Sequence, residues 1–248
     1  LKLIRRAEME AAGKYDPKAH DLEIAALAWD KLTLEERSTI PPVLVIGERE
    51  DMNSAGWQSL NKLLDSNLPV KVILLDHIAP PGKDSVDALT QSYTGLLNAI
   101  LLKKAFVFQG SMSNPEHLAK GLSNGLTETK PALLNLYAFS EKEHQADAAA
   151  SQAYAHLAVN SRTFPLLYCN PDKEHGFLNG SIDLDANRTS REDWVTEDVP
   201  LPNEETLAYK VTWADWAFSQ EAWQAEFKKV NEDSNNVPIA EYVHLSAK

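Results

Sequence analysis

Three short segments of this 248-residue chain carry the residue types that bind phosphate or metal. They are Gly47-Glu-Arg-Glu-Asp51-Met-Asn53-Ser-Ala-Gly56-Trp57, Asp76-His-Ile-Ala-Pro-Pro81-Gly82-Lys83-Asp84 and Gln109-Gly110-Ser111-Met-Ser113-Asn114. Glycine lets backbone approach a phosphate, a helix N-terminus offers unpaired N–H groups, and Asp51, Asp76 and Asp84 are hard oxygen donors of the kind that hold magnesium. Arg49 and Lys83 have the charge to meet a phosphate directly. The same residues have ordinary roles, since aspartates near helix starts act as caps and a lone glycine ends many strands. No segment forms a G-x-G-x-x-G or G-x-x-x-x-G-K-[ST] loop, so a nucleotide fingerprint is absent. His77, His117, His144, His156 and His175 lack the H-E-x-x-H spacing of a zinc site, and no serine sits in a G-x-S-x-G elbow. Cys169 is the single cysteine and has no motif around it. No residue is assigned as catalytic or as a metal ligand.

These segments need elements to position them, and the hydropathy pattern supplies candidates. Leu22, Ala25, Ala26, Trp29 and Leu32 predict one amphipathic helix over His20–Ser38, ended by Pro41 and Pro42. Val43–Gly47 and Val70–Leu75 are continuously apolar, which predicts strands buried on both faces, with a helix through Trp57, Leu60, Leu63 and Leu64 between them. A helix over Thr90–Lys103, a strand over Ala105–Gln109, a helix opening at Ser113-Asn-Pro-Glu116 and a strand over Ala132–Tyr137 continue the alternation. Ser140 and Glu143 have capping-box spacing ahead of an alanine-rich helix that runs to about Ser161. Strands alternating with helices predict an α/β fold with a mainly parallel sheet flanked by helices. Three regions are expected: a helical lead-in over 1–40, an α/β core over 41–163, and an irregular acidic C-terminal extension over 164–248 packed on that core. Residues Arg191–Lys248 hold 5 basic and 12 acidic side chains and four of the six tryptophans, Trp194, Trp213, Trp216 and Trp223, expected as anchors.

Bulk composition bounds the function further. A net charge of −12 has the wrong sign for attraction to nucleic acid or an anionic membrane surface, so neither is expected as a partner. One cysteine cannot build an iron–sulfur cluster site or a disulfide framework. No apolar run approaches the roughly 20 residues of a spanning helix, and a cytoplasmic location is expected. The sequence begins at Leu1 rather than methionine, which points to a piece of a longer polypeptide or a processed chain.

Taken in order, Pro41 to Asp76, Phe106 to Tyr137, Ala158 to Pro171 and Val211 to Leu245 resemble a known family. It is the carboxyl-terminal thiamine-diphosphate-binding domain of pyruvate:ferredoxin (flavodoxin) oxidoreductases, above all the long multidomain 2-oxoacid oxidoreductases of bacteria. The likeness rests on PPVLVIG, AGWQSLNKLLDSNLPVKVILLD, SMSNPEHLAKGLSNGL, KPALLNLYA, LAVNSRTFPLLYCNPD, WADWAFSQEAWQAEF and VPIAEYVHLS. It implies a thiamine-diphosphate-binding fold, with thiamine diphosphate and magnesium as the family's cofactors.

The departures from the family pattern are concentrated at its ligands. Where the family's first strand ends in G-D-G with a magnesium-binding aspartate, this chain reads Gly47-Glu48-Arg49-Glu50, placing Arg49 or Glu48 at the metal position by a one-residue choice of register. Where the second should end in D-x-x-x-Y-S-N-T-G-G-Q, Asp76 is kept and Gly82 stands in place of the metal-binding asparagine. The family's Y-A-x-C, whose cysteine ligates a proximal cluster, is Tyr137-Ala-Phe-Ser140 here. Serine is a poor cluster ligand, and a diphosphate without its cation keeps unneutralised charge. In the family the glutamate that activates the cofactor comes from another domain.

The resemblance therefore implies a degenerate domain, inactive alone, holding no cofactor and serving a structural or interaction role. Its partners would be other domains or subunits of a 2-oxoacid oxidoreductase-like assembly, with pairing of two copies left open. Gly47, Arg49, Asp51, Asn53, Asp76, Gly82 and Lys83 are the residues of its vestigial crevice. Two alternatives stand beside it: a working cofactor domain of a divergent oxidoreductase with altered ligands, and a small-molecule binding or regulatory module.

Overall fold

The structure is a computed structural model and describes residues 1–66, 68–78, 95–172, 182–201, 205–225 and 227. The chain divides into two compact units, Leu1–Val43 and Leu44–Lys248.

The first unit is helical: α1 (Lys2–Ala11), α2 (Pro17–Ala25), a 3-10 turn at Trp29–Lys31 and α3 (Leu34–Ser38). The single helix expected over His20–Ser38 is therefore broken twice. Ala28 is extended at the start of the 3-10 turn, and Thr33 with Glu36 forms a capping box that starts a new helix. Polar contacts hold the pieces. Arg5 meets both carboxylate oxygens of Glu36 at 2.6 Å, and Lys2 Nζ donates to Ala25 O at 2.7 Å.

The second unit is α/β. Its elements are β1 (Val43–Glu48, opening on the last residue of the first unit), α4 (Ser54–Asp65), β2 (Val70–Asp76), α5 (95–102), β3 (Phe106–Gly110), α6 (Pro115–Thr127), β4 (Ala132–Tyr137), α7 (Glu141–His144), α8 (Ser151–Asn160), β5 (Leu167–Cys169) and β6 (Ile182–Asp183). A hairpin of β7 (Val195–Pro200) and β8 (Thr206–Val211) follows, then α9 (Trp213–Ser219) and α10 (Glu221–Gln224). The six-stranded sheet has the order β1-β2-β4-β3-β5-β6. Its centre, β2-β4-β3, is parallel as expected, and β5 and β6 add antiparallel pairs at one edge.

Strand alternation sorts the core by face. On one face Val70, Val72 and Leu74 of β2, Val107 of β3 and Leu133 of β4 pack with Leu60 and Leu64 of α4 and with Ala99 and Ile100 of α5. On the other, Phe106, Phe108 and Leu134 meet Leu118 and Leu122 of α6. A third cluster caps the carboxyl end of the strands: Ile78, Tyr137, Ala155, Ala158 and Phe164, with Trp216 of α9. Trp216, from the acidic C-terminal stretch, is 2% exposed within this cluster.

Two other expectations are corrected. β1 is not buried on both faces: Val43, Leu44, Val45 and Ile46 are 58, 50, 42 and 61% exposed. An apolar run is buried only where neighbours cover it, and β1 is the edge strand. The long helix from Ser140 to Ser161 is interrupted. Ser140 does cap α7 through Glu143 N, but Gln145 turns left-handed (φ 49°), and Asp147 starts a fresh 3-10 turn that leads into α8. Of the helix expected over Thr90–Lys103, residues 90–94 lie outside the described residues. No helix among the described residues is long and apolar enough to cross a membrane.

Candidate functional site

The apolar rows of the α4/α5 face give way to polar side chains at the carboxyl ends of the strands. The parallel register sets Leu74 opposite Asn135 and Asn135 opposite Gln109, with Asp76 one pleat further along β2. Open α/β sheets bind ligands beyond this edge. Arg49 reaches it from the 3-10 turn that follows β1, and its Nε donates to Asp76 Oδ1 at 2.6 Å. The pair is nearly dry, with side chains 10% and 6% exposed.

The remaining valences of Asp76 are filled locally. Ile78 N donates to Oδ1 at 2.9 Å, and Asn135 Nδ2 donates to Oδ2 at 3.1 Å. Asn135 Nδ2 also donates to Gln109 Oε1 at 2.9 Å, and Gln109 Nε2 donates to Pro165 O at 2.7 Å. One chain of bonds thereby runs from the first strand's end to the backbone before β5. A small cavity of ≈ 20 Å³ lies against it, lined by Arg49, Asp76, Gln109, Asn135 and Thr163 and walled by apolar groups including Trp57 and Phe164.

The candidate residues separate on this geometry. Arg49 and Asp76 are brought into contact. Asn53 is an exposed helix cap, accepting from Gly56 N at 2.9 Å, and Asp51 is exposed. Gly47 has open space where a Cβ would stand. Gly82, Lys83 and Asp84 lie outside the described residues. Sequence reading singled out neither Asn135 nor Thr163. A polar residue inside the run Ala132-Leu-Leu-Asn135-Leu-Tyr137 is the signal that marks the former.

A second hollow, of ≈ 330 Å³, opens beyond β3 and β4, between Met112, Pro115, Tyr137, Phe139 and the start of α8 at Ser151 and Gln152. Behind it sits His144, stacked on Phe139 at 4.8 Å and edge-on to Tyr154. Its Nε2 lies 3.2 Å from the Tyr137 hydroxyl and its Nδ1 2.9 Å from Ser140 O. Burial pushes the His144 pKa down and that of Tyr137 up, so both are neutral near pH 7. Cys169 is buried on the α4/α5 face, where desolvation raises its pKa, an environment that keeps a thiol inert. Among the described residues no three side chains of His, Cys, Asp and Glu converge on a point that could hold a metal ion.

No protein-family profile matches the chain, and a search of curated proteins returns no match.

Proposed function

We propose that this chain is a thiamine-diphosphate-type domain of a pyruvate:ferredoxin oxidoreductase-like protein that has given up cofactor chemistry for a structural or interaction role. The observation that carries the reading is the Arg49–Asp76 pair. Arg49 is one of two residues that the resemblance places at the metal position, and its guanidinium binds the carboxylate kept from the second strand. On the resemblance, a guanidinium would then stand where the family carries its magnesium ion. Magnesium needs near-octahedral oxygen ligation, and Asp76 has its oxygens engaged with Arg49, Ile78 and Asn135. The described residues do not fit the magnesium–diphosphate group. The domain's partners on this reading are other domains or subunits of a 2-oxoacid oxidoreductase-like assembly.

Calorimetric titration of the purified chain with thiamine diphosphate, with and without magnesium, tests the reading. No heat of binding is expected in either case. Micromolar, magnesium-dependent binding would overturn it in favour of a working cofactor domain.

The ≈ 330 Å³ hollow favours a second reading, a small-molecule binding module. Its volume and aromatic, thioether and proline lining match those of ligand pockets. A panel of small aromatic acids and amides, screened by thermal shift, separates the two. Stabilisation that a bulky Gln152→Trp substitution on the exposed rim abolishes supports the module.

A further inference from the structure

We infer that the ≈ 330 Å³ hollow beyond β3 and β4 is a site for one uncharged planar ring carrying an amide-like edge, which Gln152 reads. The assignment rests on the binding-module reading of the same hollow and narrows its ligand. The hollow lies at the carboxyl edge of two parallel strands, where open α/β sheets take their ligands. Three elements wall it. Met112 and Pro115 follow β3, Tyr137 and Phe139 stand at the end of β4, and Ser151 and Gln152 open α8. Its volume is at the small end of the roughly 300–1,000 Å³ of ligand pockets, room for one small ring system.

The aromatic wall is set before a ligand arrives. Phe139 stacks on His144 at 4.8 Å and meets Tyr154 edge-on at 5.5 Å, and Tyr137 meets Phe164 edge-on at 5.7 Å. Rings buttressed in this way lose little freedom when a flat molecule settles against them. Met112, 61% exposed, adds a polarisable thioether that adapts to the shape of the ring. None of the residues lining the hollow carries a charge. Burial keeps Tyr137 and His144 neutral near pH 7. A phosphate or carboxylate entering would shed water and meet no cation, and an organic cation would meet no carboxylate. The lining offers instead the Gln152 amide, with two N–H donors and a carbonyl acceptor, and the Ser151 hydroxyl. Neither side chain hydrogen-bonds to another residue among the described residues. The complement of an amide is a second amide or the lactam edge of a heterocycle, which accepts one bond and donates one.

Nicotinamide, nicotinate and the ring-methylated pyridinium form of nicotinamide share one ring and differ in charge, which makes them the probes. Each is titrated into the full chain and followed through backbone amide resonances by NMR. Nicotinamide should shift Phe139, Gln152 and Ala155, and should bind about tenfold or more tightly than either charged analogue. Equal or tighter binding of a charged analogue at those residues would overturn the ligand class and leave the binding module standing. Silence from all three would also overturn the ligand class; the module falls only if the wider panel of acids and amides is silent too. Gln152→Lys, at an exposed position of α8, isolates the reader of the edge. It should reverse the order and place nicotinate above nicotinamide, whereas an unchanged order would remove Gln152 from that role.

Discussion

A single guanidinium decides the character of the strand-end site. With side chains 10% and 6% exposed, neither Arg49 nor Asp76 is solvated enough to stand alone. Arg49→Ala should therefore cost about 3–5 kcal/mol, the penalty for stranding a buried carboxylate. The double variant Arg49→Met/Asp76→Leu should recover much of that loss, because an apolar pair needs no compensation. Urea denaturation of the two variants checks the sign of the difference. His144 makes a separate prediction. Burial holds its folded-state pKa below the ordinary 6.5, so as pH falls past 6.5 the unfolded chain takes up the proton first. Stability is unaffected by this group above that pH and declines below it, until the folded-state pKa is passed. The urea midpoint should drop between about pH 7.5 and about pH 5.5. His117 shifts in the same direction, so His144→Gln should shrink the drop without abolishing it. Arg49 and Asp76 were legible as candidates because charged residues at strand ends are conspicuous. Their pairing was not, since it depends on the β1–β2 adjacency, which no local pattern encodes.

At the level of elements, α6 shows how little space the fold leaves. Gly121 and Gly125 lie one turn apart on its sheet-facing side, and a Cβ on Gly121 would overlap the Phe108 ring. At Gly125 it would overlap Leu134 Cδ2 and touch Phe106. The helix rests on the aromatic side chains of β3 at glycine distance. In an open helix Gly→Ala gains about 1 kcal/mol. Here Gly121→Ala should instead destabilise by about 1–3 kcal/mol through overpacking, and Phe108→Leu in the same chain should restore part of the loss. Thermal denaturation of the single and double variants measures both. The elements of the central sheet could be read from sequence because β2, β3 and β4 are short apolar runs with turn residues on each side. The misreadings have local causes. Thr33 with Glu36 and Asp147 start new helical turns inside patterns whose apolar spacing runs on, and a left-handed Gln145 stops α7 without a glycine to announce it. β1 was misread because its composition is that of a central strand while its position is an edge.

The two units differ in what holds them, and the molecule's stability should divide accordingly. In the first, none of the residues 1–42 is buried, and the contacts between its helices are the Arg5–Glu36 and Lys2–Ala25 kind. Arg5 and Thr33 hold the Glu36 carboxyl at about 2, so this pair persists until strongly acid pH. Partly solvated ion pairs do not replace a core, and a unit this short lacks the volume to build one. In the second, Phe108, Leu134 and Val107 are fully buried within the parallel centre of the sheet, with helices covering both faces. Opening the first unit should cost little free energy, while exposing the β3–β4 amides should require global unfolding. Native-state hydrogen exchange at neutral pH should give two tiers. Amides of α1–α3 should exchange within the shortest labelling times, and those of Val107, Phe108, Leu133 and Leu134 should persist longest and share one opening free energy. Added urea should lower protection of the slow tier in parallel with global unfolding and leave the fast tier unmoved. Equal protection in the two tiers would overturn this division of stability.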